Sequence, residues 1–202
     1  FVAHQDDDLL FLNPDIERSI LAGKPTRTVF VTAGDPGTCQ SCWEARENGV
    51  WNAHAAMANA VKDWTCTPRS FHGKTVSSCV LSTAPHVSVV FMRLPDGGLS
   101  SLWSTEFGPP FWVSPVASLT SVDNAYSVTK AEAITLIYDL IADFRPALIG
   151  TQDGSLAYGD DHQDHMASGL MVMDASFRYA EPLAYRIFRG YNIYGNWFTI
   201  PS

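Results

Sequence analysis

With 202 residues, 46% of them hydrophobic, and no low-complexity tract, repeat or long linker, the chain reads as one domain over residues 1–202, able to bury about 70% of its unfolded surface. A net charge of −8, with 13 scattered lysines and arginines, argues against nucleic acid or an anionic membrane as main partner and favours a neutral or cationic substrate. No stretch approaches the ~18 apolar residues of a membrane span.

In chain order, Phe1–Ala3 reads as the end of a strand, and the polar run His4-Gln5-Asp6-Asp7-Asp8 begins where that strand stops. A helix is expected over Pro14–Ala22, a strand over Thr26–Thr32, a helix over Trp43–Val61 and a strand over Val87–Leu94. From Asp96 to Val128 periodicity fades, and the segment holds Gly97, Gly98, Pro109 and Pro110 with Trp103, Phe107, Phe111 and Trp112. An irregular stretch of this length is usually functional or disordered. Its aromatics suggest a wall or lid over the site, with flat faces suited to sugar rings; the alternative is that they fill the gap between loop and core. Thr129 with Glu132 forms a capping box that opens a helix to Phe144, striped by Ala133, Leu136, Ile137, Leu140 and Ile141. Ala147–Gly150 is a strand candidate, Asp153-Gly154 and Tyr158-Gly159 are loop signals, His162–Tyr179 reads as a helix and Leu183–Tyr191 as a strand. The alternation predicts an α/β fold, a Rossmann-like, mainly parallel sheet with helices on both faces.

Four cysteines, Cys39, Cys42, Cys66 and Cys79, permit three full pairings. Cys39–Cys42 and Cys66–Cys79 are favoured: the first pair flanks a tight loop, and the second brackets what looks like a surface excursion between two strands. A redox pair or a structural zinc are the competing readings. Even cysteine number and abundant tryptophan lean towards a secreted, extracellular protein. The chain also begins so close to a proposed ligand that a trimmed or processed form is suggested, with any signal peptide or anchor lying before it.

The chemistry is carried by two short runs. His4 and Asp7 sit three residues apart on one turn, within reach of a single metal, with Asp6 between them pointing elsewhere. In Asp160-Asp161-His162-Gln163-Asp164-His165, the two histidines fall at i and i+3 at a helix start, so one can bind metal while the other faces the same cavity. Asp160 or Asp161 is the expected N-cap. Asp164 either hydrogen-bonds the His162 ring, orienting it and raising its pKa, or is a first-turn carboxylate favoured by the helix dipole. His54, His72 and His86 have no partners at ligand spacing and are read as structural or exposed.

His4-Gln5-Asp6-Asp7 on the first strand and the distal His162-x-x-His165 resemble the PIG-L/LmbE-like family of zinc-dependent N-acetylglucosaminyl deacetylases. The match extends to Thr32-Ala33-Gly34-Asp35, Arg46-Glu47-Asn48 and Leu94-Pro95-Asp96-Gly97, in the family's order. The resemblance implies an LmbE-like fold, zinc held by His4, Asp7 and His165, Asp6 as general base, and His162 facing the reacting carbonyl. It also implies that Arg46 and Asp96 hold sugar hydroxyls or a neighbouring group; an ordinary surface ion pair is the equal alternative for Arg46. One carboxylate and two imidazoles would equally accept cobalt, nickel or iron.

Gln5 replaces the family's proline, so the turn loses a rigid φ and gains an amide, and Asp8 replaces a glutamate. The expected reaction is removal of acetate from N-acetylglucosamine units, chitin-type oligosaccharide being favoured for an acidic, cysteine-paired, aromatic-rich chain. A glycolipid, glycopeptide or thiol-sugar substrate, or a non-catalytic sugar-binding protein of the same fold, are the alternatives. Retention of Asp6 speaks for the enzyme, since a pure binder needs no general base.

Overall fold

The computed structural model describes residues 1–156 and 161–196, with side chains to residue 193; Tyr158-Gly159 and Asp160 lie outside the described residues. After the extended residues 1–3, a π-helical turn spans Asp8–Leu12. Then follow α1 (Asp15–Leu21), β1 (Thr26–Thr32), α2 (Gln40–Met57), β2 (Trp64–Phe71), β3 (Lys74–Leu81), β4 (Val87–Leu94), α3 (Leu99–Trp103), β5 (Leu119–Thr120) and β6 (Ser127–Val128). The chain continues through α4 (Lys130–Phe144), β7 (Leu148–Gln152), α5 (Gln163–Phe177) and β8 (Ala184–Phe188) to a 3-10 turn at Tyr191–Asn196.

β1 pairs in parallel with β4, which continues antiparallel through β3 to β2, while β7 pairs in parallel with β8. Residues 1–3 lie between the two groups. Val2 N donates to Val29 O and Val31 N to Val2 O, both at 3.0 Å, and on the other side Ala3 N donates to the side-chain Oε1 of Gln152 at 2.9 Å. The α/β class and the parallel strands expected from the sequence are present, with an antiparallel hairpin on one edge.

β1 and β4 are apolar on both faces, the signature of strands covered twice. Val29, Val31, Val90 and Met92 pack with Leu136, Ile137 and Leu140 of α4 and Met171 of α5. On the opposite face Phe30, Val89 and Phe91 pack with Val50 of α2, the rings of Phe30 and Phe91 stacking at 5.5 Å. The Thr129/Glu132 capping box opens α4 as expected, and the helix stops at Arg145, whose φ of 54° ends it before Pro146.

Three expectations are corrected. The stretch between Cys66 and Cys79 is a regular hairpin, Cys66 standing directly opposite Cys79; Pro68 hid the strand, and it is tolerated because β2 is an edge. Both favoured disulfides are present, Cys39–Cys42 and Cys66–Cys79. The stretch from Asp96 to Val128 is not wholly irregular, since it holds α3 and the β5–β6 ribbon. Its aromatics divide: Phe111 is buried, whereas Phe107 and Trp112 are 65% and 66% exposed. The N-cap of α5 is His162, whose ring nitrogen accepts from Asp164 N, not Asp161. Among the described residues no helix is long and apolar enough to cross a membrane.

Candidate metal centre

The site lies at the carboxyl ends of the parallel strands, where such sheets bind ligands. Residues 1–3 deliver His4 to this end, and the turn that follows folds the Asp7 carboxylate back so that Oδ2 accepts from His4 N at 2.6 Å. Gln5 is buried, and its amide donates to Thr32 O at 2.8 Å. The residue that replaced a rigid proline therefore fastens the turn to β1 by a hydrogen bond. A Cβ at Gly34, whose φ is +61°, would fall 2.6 Å from Gln5 Oε1 and 2.9 Å from Arg46 Cδ. Only glycine fits there, and Arg46 lies over this spot, exposed and without an ion pair among the described residues.

α5 brings the second run. His165 Nε2 stands 3.2 Å from His4 Nδ1 and 3.0 Å from Asp7 Oδ1, and His4 Nδ1 stands 3.2 Å from Asp7 Oδ2. Three side chains from two distant segments thus converge, each imidazole meeting its own oxygen of the Asp7 carboxylate. Asp7 Oδ1 is buried and accepts no hydrogen bond even with His165 Nε2 beside it. Donors about 2.1 Å from a tetrahedral ion stand roughly 3.4 Å apart, so the donor set fits a metal better than it fits mutual hydrogen bonds. The His162 ring lies 4.6 Å from that of His4 and 5.1 Å from that of His165, and it too could offer a donor atom to an ion near them.

Each inner histidine leans on a carboxylate through its other nitrogen, the arrangement that fixes tautomer and ring orientation in metal sites. Asp96 Oδ1 is 3.1 Å from His4 Nε2, with Asp164 Oδ2 behind it at 3.8 Å. Asp161 Oδ1 is 3.2 Å from His165 Nδ1, and the same carboxylate accepts from Gly190 N, Tyr191 N and His162 N at 2.7–3.0 Å. A Cβ at Gly190 would fall 2.2 Å from Asp161 Oδ2, so this close approach requires glycine. Tyr191 stacks on His165 at 5.2 Å.

Asp96, expected to hold a sugar hydroxyl or a neighbouring group, is engaged with His4. Of the two readings of Asp164, it is a carboxylate in the first turn of α5 and does not bond the His162 ring through its oxygens, which accept from Gly97 N and Leu99 N at 2.6 and 3.1 Å. The partnership of Asp161 with His165 escaped the sequence reading. Its signal was there, a carboxylate four residues before a ligand-type histidine across one helical turn, but the N-cap reading absorbed it.

The electrostatics ask for a cation. Burial opposes charging of His4, yet Asp164, Asp7 and Asp96 outweigh it and push the imidazole up to about 12. Burial likewise resists ionisation of Asp7, but His165 and His4 hold its carboxyl well below the usual range. Asp96 is drawn down to about 2, chiefly by His4. His162 moves the other way, its pKa lowered by burial and by the charge of His4, so it is neutral with Nδ1 accepting from Asp164 N at 3.3 Å and the proton on Nε2.

A cavity of about 540 Å³ lies at the other end of the strands between Thr26–Thr28 and Ala147–Leu148. None of the clustered histidines and carboxylates lines it, so volume does not locate the chemistry here. No curated protein and no solved structure matches the chain. The profile of the PIG-L family, described as GlcNAc-PI de-N-acetylase, matches residues 1–176, a span that takes in His4, Asp7, Asp96, Asp161 and His165. The chain belongs to the PIG-L family and is a hydrolase of the de-N-acetylase type.

Proposed function

We propose that the protein is a zinc-dependent deacetylase of N-acetylglucosamine units, acting on a neutral extracellular glycan of the chitin type. The observation that carries the reading is the convergence of the two imidazoles on one carboxylate: His4 Nδ1 and His165 Nε2 stand 3.2 Å apart, the first 3.2 Å from Asp7 Oδ2 and the second 3.0 Å from the unbonded Asp7 Oδ1. His4, Asp7 and His165 are the residues that would hold the ion. When bound there, zinc supplies Lewis acidity, acidifying a water and polarising an acyl oxygen.

The chain's own groups supply the rest. Asp6, on the same turn as the proposed ligands and exposed, takes the proton of the attacking water and returns it to the leaving amine. His162, with Nδ1 occupied by the backbone of α5, presents its Nε2–H to the acyl oxygen as charge develops. A neutral imidazole suffices for this, so no protonated His162 is required. Arg46, exposed beside Gly34, would hold a sugar hydroxyl. The carboxylates Asp6, Asp96, Asp161 and Asp164 around the site favour a substrate free of phosphate, and the two disulfides suit an oxidising compartment.

Acetate release from N-acetylglucosamine oligomers of increasing length, by metal-stripped protein with and without added zinc, tests the reading. Zinc-dependent release is expected. No release from any length with zinc bound would sink it in favour of another acylated substrate or a sugar-binding role.

A further inference from the structure

At the end of β4 the sheet departs from regular pairing. Phe30 stands opposite Phe91, yet Thr32 stands opposite Leu94, so β4 carries one residue more than β1 over this interval. Within it Arg93 has a φ of 57°, a region that residues with a Cβ adopt rarely. Such bulges re-aim the residues that follow them, and the residue that follows here by three is Asp96.

The bulge is clamped. Arg93 Nε and Nη2 donate to Glu47 Oε1 and Oε2 at 2.6 and 2.8 Å, a two-pronged pair with a buried carboxylate of α2. Nη1 donates to Asp123 Oδ2 at 2.9 Å, the guanidinium lies 4.7 Å over the Trp43 ring, and Val122 N donates to Arg93 O at 2.9 Å. Just beyond, Asp96 N donates to Asp35 O at 3.0 Å, and Asp96 Oδ1 meets His4 Nε2 at 3.1 Å. One residue advances a strand by about 3.3 Å. Losing the offset would carry Asp96 past His4 by that amount, enough to break the contact.

We propose that Arg93 is a positioning residue of the hydrolytic site: by locking the β4 bulge against Glu47 and Asp123 it sets the height of Asp96, and through Asp96 the orientation of the His4 ring. The inference rests on the reading of His4 as a metal ligand. Arg93's partners are Glu47, Asp123 and Trp43, none of them a proposed ligand, so its effect on the metal passes through Asp96. Loss of a carboxylate that orients a ligating histidine weakens metal binding 10- to 100-fold as an order of magnitude, and the same loss is expected when the carboxylate is present but displaced.

The test is a double-mutant cycle on zinc affinity, read by competition with a chromogenic chelator, in wild type, Arg93→Gly, Asp96→Asn and the double variant. Glycine accepts the positive φ, so Arg93→Gly removes the clamp without new backbone strain. Each single variant is expected to lose about 10- to 100-fold in zinc affinity, and the double variant no more than Asp96→Asn alone. Arg93→Lys, which keeps the charge but not the fork, should fail to restore binding. Should Arg93→Gly not fold, Glu47→Gln weakens the fork from its other side and enters the same cycle. Additive losses, or wild-type zinc affinity in the variant that breaks the clamp, would overturn the proposal while leaving the metal reading intact. Absence of zinc binding by the wild type would overturn both.

Discussion

The parallel strands β1 and β4 serve two interiors of opposite character. Under α4 and α5 the buried side chains are aliphatic, Val29, Val31, Val90 and Met92 against Leu136, Ile137 and Leu140. Beyond the carboxyl ends of the same strands the buried groups are His4, Asp7, Asp164 and His165. The first interior gains stability from many small, interchangeable contributions. The second holds charged and polar groups whose burial is costly unless each finds its partner, and one of its oxygens, Asp7 Oδ1, finds no hydrogen bond in the protein. The contrast says that stability and chemistry are carried by different residues here, so substitutions should separate the two.

The sharpest separation is expected at Asp6. As an exposed side chain it holds no packing, yet as general base it is worth on the order of a thousandfold in rate, or about 4 kcal/mol of barrier. Asp6→Asn should therefore abolish measurable acetate release while zinc content and Tm stay at wild-type values; unchanged turnover would sink the assigned mechanism. Leu136→Ala should do the reverse. Deleting a fully buried leucine costs about 3 kcal/mol, read as a lower urea midpoint, with zinc affinity and acetate release per folded molecule unaltered. If Leu136→Ala weakened zinc binding, the two interiors would be coupled after all.

Between the two interiors lies a buried pair that belongs to neither. His54 Nε2 stands 3.5 Å from Asp8 Oδ2 and 3.0 Å from Thr28 Oγ1, which donates to it, while Nδ1 donates to Val50 O at 3.1 Å. Burial lowers the His54 pKa to about 4 and raises that of Asp8 to about 7, so in the folded protein both are neutral in between and the contact is not an ion pair. For His54 the unfolded chain binds the extra proton between about pH 4 and 6.5, so its contribution to stability is lost as pH falls through that window. For Asp8 the folded chain binds it, so its contribution is lost as pH rises from about 4 to 7. The slopes oppose, and the wild type should show little net pH dependence from this pair. Asp8→Asn should uncover the His54 slope, about 3 kcal/mol of stability lost on going from pH 6.5 to 4, and His54→Gln the opposite slope. Thermal melts across this range decide it; matching slopes in both variants would show that the pair does not titrate as described.

How much of this was legible before folding depends on the range of the signal. The capping box at Thr129, the stripe on α4 and the twofold-buried strands β1 and β4 are local patterns, and the sequence displayed them. The runs at His4 and at His165 were visible too, and their ligand types at strand ends suggested one site, but periodicity carries no information about which strand end meets which helix start 161 residues away. Asp96 was legible as a site residue that holds either sugar or a neighbouring group, but not as to which. Whether a carboxylate holds substrate or a histidine depends on the height set by a single extra residue in β4, and nothing local in Met92-Arg93-Leu94 announces a bulge. Gly190 and Asp161 were missed for a related reason. Their close approach exists only after the chain beyond β8 returns to the start of α5.

The smallest expected effect concerns the aromatic segment, where sequence suggested a wall for sugar rings and the structure sorts its members. Phe111 is rooted in the core, while Phe107 and Trp112 meet edge to face at 5.8 Å with both largely exposed. α3, whose first turn is held by Asp164, leads into this loop, so the pair follows the site along the chain by a short helix of roughly 7 Å. A ring face there would be felt only by a substrate long enough to reach it. Trp112→Ala should leave acetate release from the shortest accepted oligomer unchanged and raise KM for longer ones about fivefold, the equivalent of about 1 kcal/mol for one lost ring contact. A rise in KM at every length would place Trp112 beside the reacting sugar instead. No rise at any length would return the exposed pair to the surface, with no part in binding.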